Sequence, residues 1–154
     1  MTTAQKQHYY SSTAQKGTEI LQRVADDQGW IVAFPDDQYS PYDAVIIDED
    51  GTALVEVKVR TYDSDAFKDW MMETKKLQRI REICPKDVDI VYVCAHPDGK
   101  VRFWDVESVI EGLEKGEREC KNLGRKRRFH QKIKEKYDLP SKMAYYEWTS
   151  TSSR

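Results

Sequence analysis

Two carboxylates and an ammonium stand where strands ordinarily place apolar residues. Asp43 opens one apolar run, and Glu56 and Lys58 lie inside the next, Leu54-Val-Glu-Val-Lys-Val59. Between the runs, Asp48-Glu-Asp-Gly51 has the composition of a tight turn, so the pair reads as a β-hairpin. Side chains two apart on a strand share a face. With a two-residue turn at Asp50-Gly51, Asp43 falls opposite Lys58 and Val45 opposite Glu56. A four-residue loop from Glu49 to Thr52 gives the same pairing. In either case Asp43, Glu56 and Lys58 project to one side, with direct and diagonal neighbours roughly 5 and 7–8 Å apart. Two carboxylates at that spacing can share one divalent cation with an ammonium beside it. An odd-length loop would split the trio between the faces unless a bulge restored the register.

The tripeptide alone carries little weight. Acid-x-Lys occurs four times, beginning at Glu56, Glu73, Asp98 and Glu119, and only the first lies in an alternating apolar strand after an aspartate in matching register. Glu73 fits the exposed side of a helix, Asp98 a hairpin turn and Glu119 a charged segment. The first also has an ordinary account. Alternating polar faces are common in half-exposed strands, where Glu56 and Lys58 would form an ion pair and Asp43 would cap a strand edge.

The elements that must position these residues follow from periodicity and punctuation. Residues 1–12 are polar and read as a flexible tail. Thr13 or Thr18 can cap a helix reaching about Gln28, with Ile20, Leu21, Val24 and Ala25 as its buried stripe. Gly29 ends it, Trp30–Phe34 forms a short strand, and the hairpin occupies roughly 42–48 and 52–60. Phe67, Trp70, Met71, Leu77, Ile80 and Cys84 sit at helical spacing, which predicts one helix over about 65–84, stopped by Pro85. Asp89–Ala95 is a buried strand, turned by Pro97–Lys100 into Val101–Trp104. A helix at about 106–115, a basic segment at 117–137 and an edge strand at Met143–Trp148 complete the chain, with 149–154 as a tail. Residues 13–105 form the core of a single domain, 106–148 its basic helical C-terminal extension. The order predicts an α/β sandwich, a mixed sheet with a helix on each face.

Composition excludes several classes. With 39% hydrophobic and 34% charged residues the 154-residue chain reads as soluble and globular. Its longest apolar runs are about five residues, far below the roughly 20 that span a bilayer. The polar start lacks the apolar stretch of a secretory signal, so a cytoplasmic location is expected. Cys84, Cys94 and Cys120 are odd in number and form no Cys-x-x-Cys pair, which argues for reduced thiols and against a disulfide frame or zinc site. Charge is segregated: Arg118–Lys136 holds nine Lys/Arg and two Glu, leaving 16 of the 25 basic and 25 of the 27 acidic residues elsewhere. A basic block on an acidic body points to a local polyanion contact, although such runs are also ordinary solvated faces.

These residues resemble the PD-(D/E)XK nuclease superfamily, in particular its Holliday-junction resolvase-like and intron-encoded endonucleases. The resemblance is carried by Lys16-Gly17, Glu19, Gly29, Pro35, Tyr42-Asp43 and Glu56-Val57-Lys58. It extends in detail from Lys16 to about Arg60 and as topology to about Asp105; beyond that the chain matches no pattern. Pro41 is separated from Asp43 by Tyr42, so the nominal Pro-Asp dipeptide is absent.

The resemblance implies a restriction-endonuclease-like sandwich with an α-β-β-β-α-β core, and metal-dependent hydrolysis of phosphodiesters in duplex or branched DNA. Asp43, Glu56 and the backbone carbonyl of Val57 would hold Mg²⁺, with Mn²⁺ able to substitute, because hard oxygen donors select such ions. Lys58 would orient the nucleophile, and Glu19 would extend the acidic cluster unless it merely pairs with Arg23 one turn on. Arg125, Lys126, Arg127, Arg128 and Lys132 would neutralise DNA phosphates. Ser40 and Tyr42 lie beside the site and could touch phosphate, though loop composition accounts for them equally well. Lys75 and Lys76 read as solvated helix lysines. A homodimer would supply two sites for cutting both strands, but nothing in the sequence requires one. The competing expectation is a catalytically inactive module of the same fold that binds DNA or a protein partner.

Overall fold

The hairpin forms as an even-loop ribbon, but two residues out of the expected pairing. In this computed structural model, which describes residues 3–119 and 136–150, β2 (Ala44–Asp48) and β3 (Gly51–Val59) pair with Ala44 opposite Val55 and Asp48 opposite Gly51. The turn is therefore Glu49-Asp50, not Asp50-Gly51. Its cause is local: the Asp48 carboxylate accepts the amides of Asp50 at 2.8 Å and Gly51 at 3.0 Å, drawing the reversal towards itself. Gly51 follows at φ 143°, a conformation suited to glycine. A slip of two preserves the alternation of faces, so the trio is not split.

Around the hairpin lies a six-stranded mixed sheet in the order β1-β2-β3-β5-β6-β8. It adds β1 (Ile31–Ala33), β5 (Asp89–Ala95), β6 (Lys100–Asp105) and β8 (Tyr146–Thr149). Only β3 and β5 run parallel, with Glu56 beside Tyr92 and Lys58 beside Cys94. Helix α1 (Thr3–Gln28) covers one face through Leu21 and Val24, which pack on Val55, Val91, Val93 and Phe103. The other face carries α2 (Thr74–Ile83) and α3 (Val106–Glu119), whose Leu77, Ile80, Val106 and Ile110 pack with Leu54, Tyr92 and Trp104. This two-faced mixed sandwich is consistent with the expected restriction-endonuclease-like fold.

Three expectations are corrected. Helix α1 already starts at Thr3, where a loose tail was expected; no glycine or proline interrupts Thr3–Lys16. Lys16-Gly17 consequently lies inside the helix. There the missing Cβ lets α1 approach the sheet, since a Cβ on Gly17 would sit 3.2 Å from Val57 Cγ1. The helix expected over 65–84 is instead a strand, β4 (Asp69–Glu73), followed by α2. Trp70 and Met72 alternate with exposed neighbours, and the partner that turns this alternation into a strand is β7 (Lys136–Pro140). That partner falls where a basic helical extension was expected. Among the described residues of the extension α3 is helical and β7 is a strand, while β8, near the edge strand expected at 143–148, closes the main sheet against β6. Tyr146 and Trp148 on β8 cover the α1 side of the sheet edge, with Trp148 Nε1 donating to Asp27 at 2.8 Å.

Candidate active site

Beyond Ala44 the β2–β3 ladder is completed by Asp43 alone. Its N–H donates to Val55 O at 2.8 Å, and its Oδ2 accepts the Val57 N–H at 2.8 Å. A side chain thereby takes over a position that the next residue of β2 would have filled. The exposed Asp43 carboxylate is fixed against the edge of β3, near enough to Glu56 for its charge to oppose ionisation of that carboxyl. The two acids are closer neighbours than the predicted pairing gave.

Glu56 is buried to 6% exposure on the α2 face of the sheet. Lys76 Nζ of α2 lies 3.0 Å from its Oε1. Burial, then the charge of Asp43, push the Glu56 carboxyl up to about 7, and the Lys76 ammonium opposes them without prevailing. Near neutrality this acid is therefore poised between its two forms. Lys76 was expected to be a solvated helix lysine. Once β4 consumes 69–73, helix α2 starts at Thr74 and places Lys76 above the sheet.

Lys58 follows two residues further along β3, exposed and engaged in no ion pair among the described residues. Arg60 continues the row just past the strand, and sequence reasoning missed it although the period-two spacing Glu56, Lys58, Arg60 was visible. Its Nη2 donates to Met71 O at 2.7 Å and to Tyr92 Oη at 2.8 Å, its Nε points to Cys94 Sγ at 3.5 Å, and the guanidinium lies 5.6 Å from the Trp70 ring centroid. Cys84 and Cys94 are free thiols, and Cys120 lies outside the described residues.

The remaining predicted residues are dispersed. Glu19 is exposed on α1 and accepts a hydrogen bond from Gln15 Nε2 at 3.2 Å. It does not join the Asp43–Glu56 pair: among the described residues no three His, Cys, Asp or Glu side chains converge as a metal-holding group. Tyr42 packs against the α2-side core, and Ser40 Oγ accepts its N–H at 3.4 Å. Arg125, Lys126, Arg127, Arg128 and Lys132 lie outside the described residues.

A cavity of about 390 Å³ adjoins the end of this row and is lined by Lys58, Arg60, Tyr62, Phe67 and Trp70 among others. A larger one, about 440 Å³, lies at the opposite end of the β3–β5 pair beside Asp48, Asp50, Asp89 and Asp105, away from the trio. Among the described residues no helix is long and apolar enough to cross a membrane.

The fold and the paired acids define a mixed α/β protein with a carboxylate–lysine site at the end of a β-hairpin. No protein-family model matches the chain, and no curated protein matches it in sequence. Among solved structures, one of Hjc, a Holliday junction resolvase from the archaeal hyperthermophile Archaeoglobus fulgidus, is similar at a TM-score of 0.43 and 15% identity, covering 56% of this chain and 74% of that one.

Proposed function

We propose that this protein is a metal-dependent DNA endonuclease that hydrolyses phosphodiester bonds, with Asp43, Glu56 and Lys58 as its catalytic residues. The observation that carries the reading is the convergence of Asp43 on a buried Glu56, with Lys58 next along the same strand face. An acid raised by burial and by a neighbouring carboxylate has little structural purpose, because the arrangement destabilises its own charged form. A divalent cation would relieve both causes.

The donor chemistry fits such an ion. Mg²⁺ is commonly held by one or two carboxylates, with waters and substrate phosphate completing its shell. Asp43 and Glu56 supply the carboxylates. The Val57 carbonyl lies on the same edge of β3 as its N–H, which faces Asp43. When bound there, the cation supplies positive charge against the phosphoryl oxygens and acidifies a water. Asp43, held by the Val57 amide, keeps its second oxygen available to a ligand. Lys58, exposed and in no ion pair among the described residues, would orient the attacking water and offset charge on the pentavalent transition state. Phosphate neutralisation by Arg125, Lys126, Arg127, Arg128 and Lys132 belongs to the same proposal, as does a homodimer.

One observation favours a second reading, a non-catalytic module that binds DNA or a protein partner. Lys76 Nζ occupies Glu56 Oε1 at 3.0 Å, where a cation would otherwise be sought. A single experiment separates the two: incubation with supercoiled plasmid, single strands and a four-way junction, in Mg²⁺, Mn²⁺ or EDTA. Metal-dependent cutting is expected. A mobility shift with no cutting under any condition would establish the binding module instead.

A further inference from the structure

The acids and Lys58 account for a phosphate but leave unexplained the aromatic cavity into which the row continues. Tyr62 and Phe67 line it and are 58% and 50% exposed, an unusual exposure for two large rings side by side. They meet edge to face at 5.1 Å between centroids, and Phe67 meets Trp70 in the same way at 5.5 Å. The rings thus form two walls at about right angles, with interplanar angles of 76° and 77°. Trp70 is buried and packed against His96 at 4.4 Å, which anchors the inner wall.

Charge is arranged around these walls. Lys58 and Arg60 both line the cavity, stepping along the chain at about 6.6–7 Å intervals from Glu56. Arg60 makes no salt bridge among the described residues; its Nε and Nη2 are committed to Cys94, Met71 and Tyr92, which leaves Nη1 for a ligand. Among the described lining residues Asp69 is the one carboxylate, an acceptor suited to a base N–H.

Aromatic walls beside a row of cations match a nucleotide whose base is out of its helix. Stacking on side chains needs a free π-face, which a paired base inside a duplex does not present. From these observations we propose that the cavity bounded by Tyr62, Phe67 and Trp70 takes an unpaired nucleobase adjoining the phosphate held at Asp43, Glu56 and Lys58. Arg60 takes the next phosphate. The inference rests on the nuclease reading only for the position of the phosphate; the cavity itself makes the protein select single-stranded or branched nucleic acid over intact duplex.

The test is binding in EDTA, where no cutting occurs, of a fluorescent 12-nucleotide oligothymidylate and of a blunt 20-base-pair duplex. Wild type is expected to hold the single strand more tightly and to show quenching of tryptophan fluorescence. The paired change Tyr62→Ala and Phe67→Ala is expected to weaken single-strand binding about tenfold or more while moving duplex binding less than about twofold. Phe67→Trp should restore most of the loss, a rescue that a merely structural role would not predict; a melting temperature near wild type confirms folding. Equal losses on both probes, no loss on either, or no binding by wild type would overturn the inference. So would variants that change only the oligomeric state, which would make the rings a contact between copies. Selective loss in a protein that cuts nothing would sustain the cavity and sink the nuclease.

Discussion

The two faces of β3 are built from alternating residues of one nine-residue strand and have opposite characters. Val55, Val57 and Val59 point to α1, where even a glycine is needed for close approach and the neighbours are Leu21, Val24 and Phe103. The other face begins apolar at Leu54 and then carries Glu56, Lys58 and, just beyond, Arg60. On the first face, burial removes apolar surface from water and stabilises the fold. On the second, burial of a carboxylate opposes its own ionisation, and a lysine on α2 only partly offsets this. The difference separates residues that hold the sheet together from residues whose charge the sheet must accommodate.

That division can be tested from the most damaging change to the least. Lys58→Ala should lower metal-dependent cleavage by about 100-fold or more while leaving the melting temperature nearly unchanged. A purified variant cutting at the wild-type rate would remove Lys58 from the chemistry. Val55→Ala should do the reverse, costing about 2–3 kcal/mol and lowering the melting temperature by roughly 5–10 °C, with cleavage per folded molecule preserved below that transition. Loss of cleavage without loss of stability would dissolve the distinction between faces.

Glu56→Gln sharpens the second face through pH. With its carboxyl pushed up to about 7, the folded protein holds a proton that the unfolded chain has already released above the ordinary carboxylate range. The stability this proton confers is present at acid pH and lost as pH rises through about 7. Glutamine cannot lose it. The melting temperature of Glu56→Gln minus that of wild type should therefore increase between about pH 5 and about pH 8, and a flat difference would place Glu56 in the ordinary range. Smallest of all, Gly17→Ala should change stability by less than about 1 kcal/mol, because the helix propensity gained is set against the 3.2 Å approach to Val57 Cγ1. Thermal unfolding reads the balance directly, and a loss of several kcal/mol would mean that Val57 cannot yield.

Much of this was legible in the sequence where the controlling interaction is local. Alternation around Glu56 and Lys58 placed both on one face, and Asp89–Ala95 read as a strand because it is an uninterrupted apolar run between turn signals. The hairpin pairing was two residues out because two turns compete within Asp48–Gly51, and the Asp48 side chain decides between them. Residues 69–73 were misread for a non-local reason. Phe67, Trp70, Met71 and Leu77 satisfy helical spacing, and only pairing with β7 reveals that Trp70 and Met72 alternate. Lys76 was lost with the same error, since its position above Glu56 depends on where α2 begins. The encounter of Asp43 with Glu56 was foreseen in kind, but a side chain replacing a ladder position at Val57 leaves no mark in spacing.

The indole nitrogens of Trp70 and Trp104 are buried donors whose acceptors come from late in the chain. Trp70 Nε1 reaches Ser141 Oγ at 3.1 Å, and Trp104 Nε1 reaches Pro140 O at 2.8 Å. A stop codon ahead of this short stretch would therefore strand two polar hydrogens in an oily interior, besides removing β7 and β8. The stretch Lys136–Thr149 is a keystone rather than an appendage, because the interior around Trp70 and Trp104 is not complete without it.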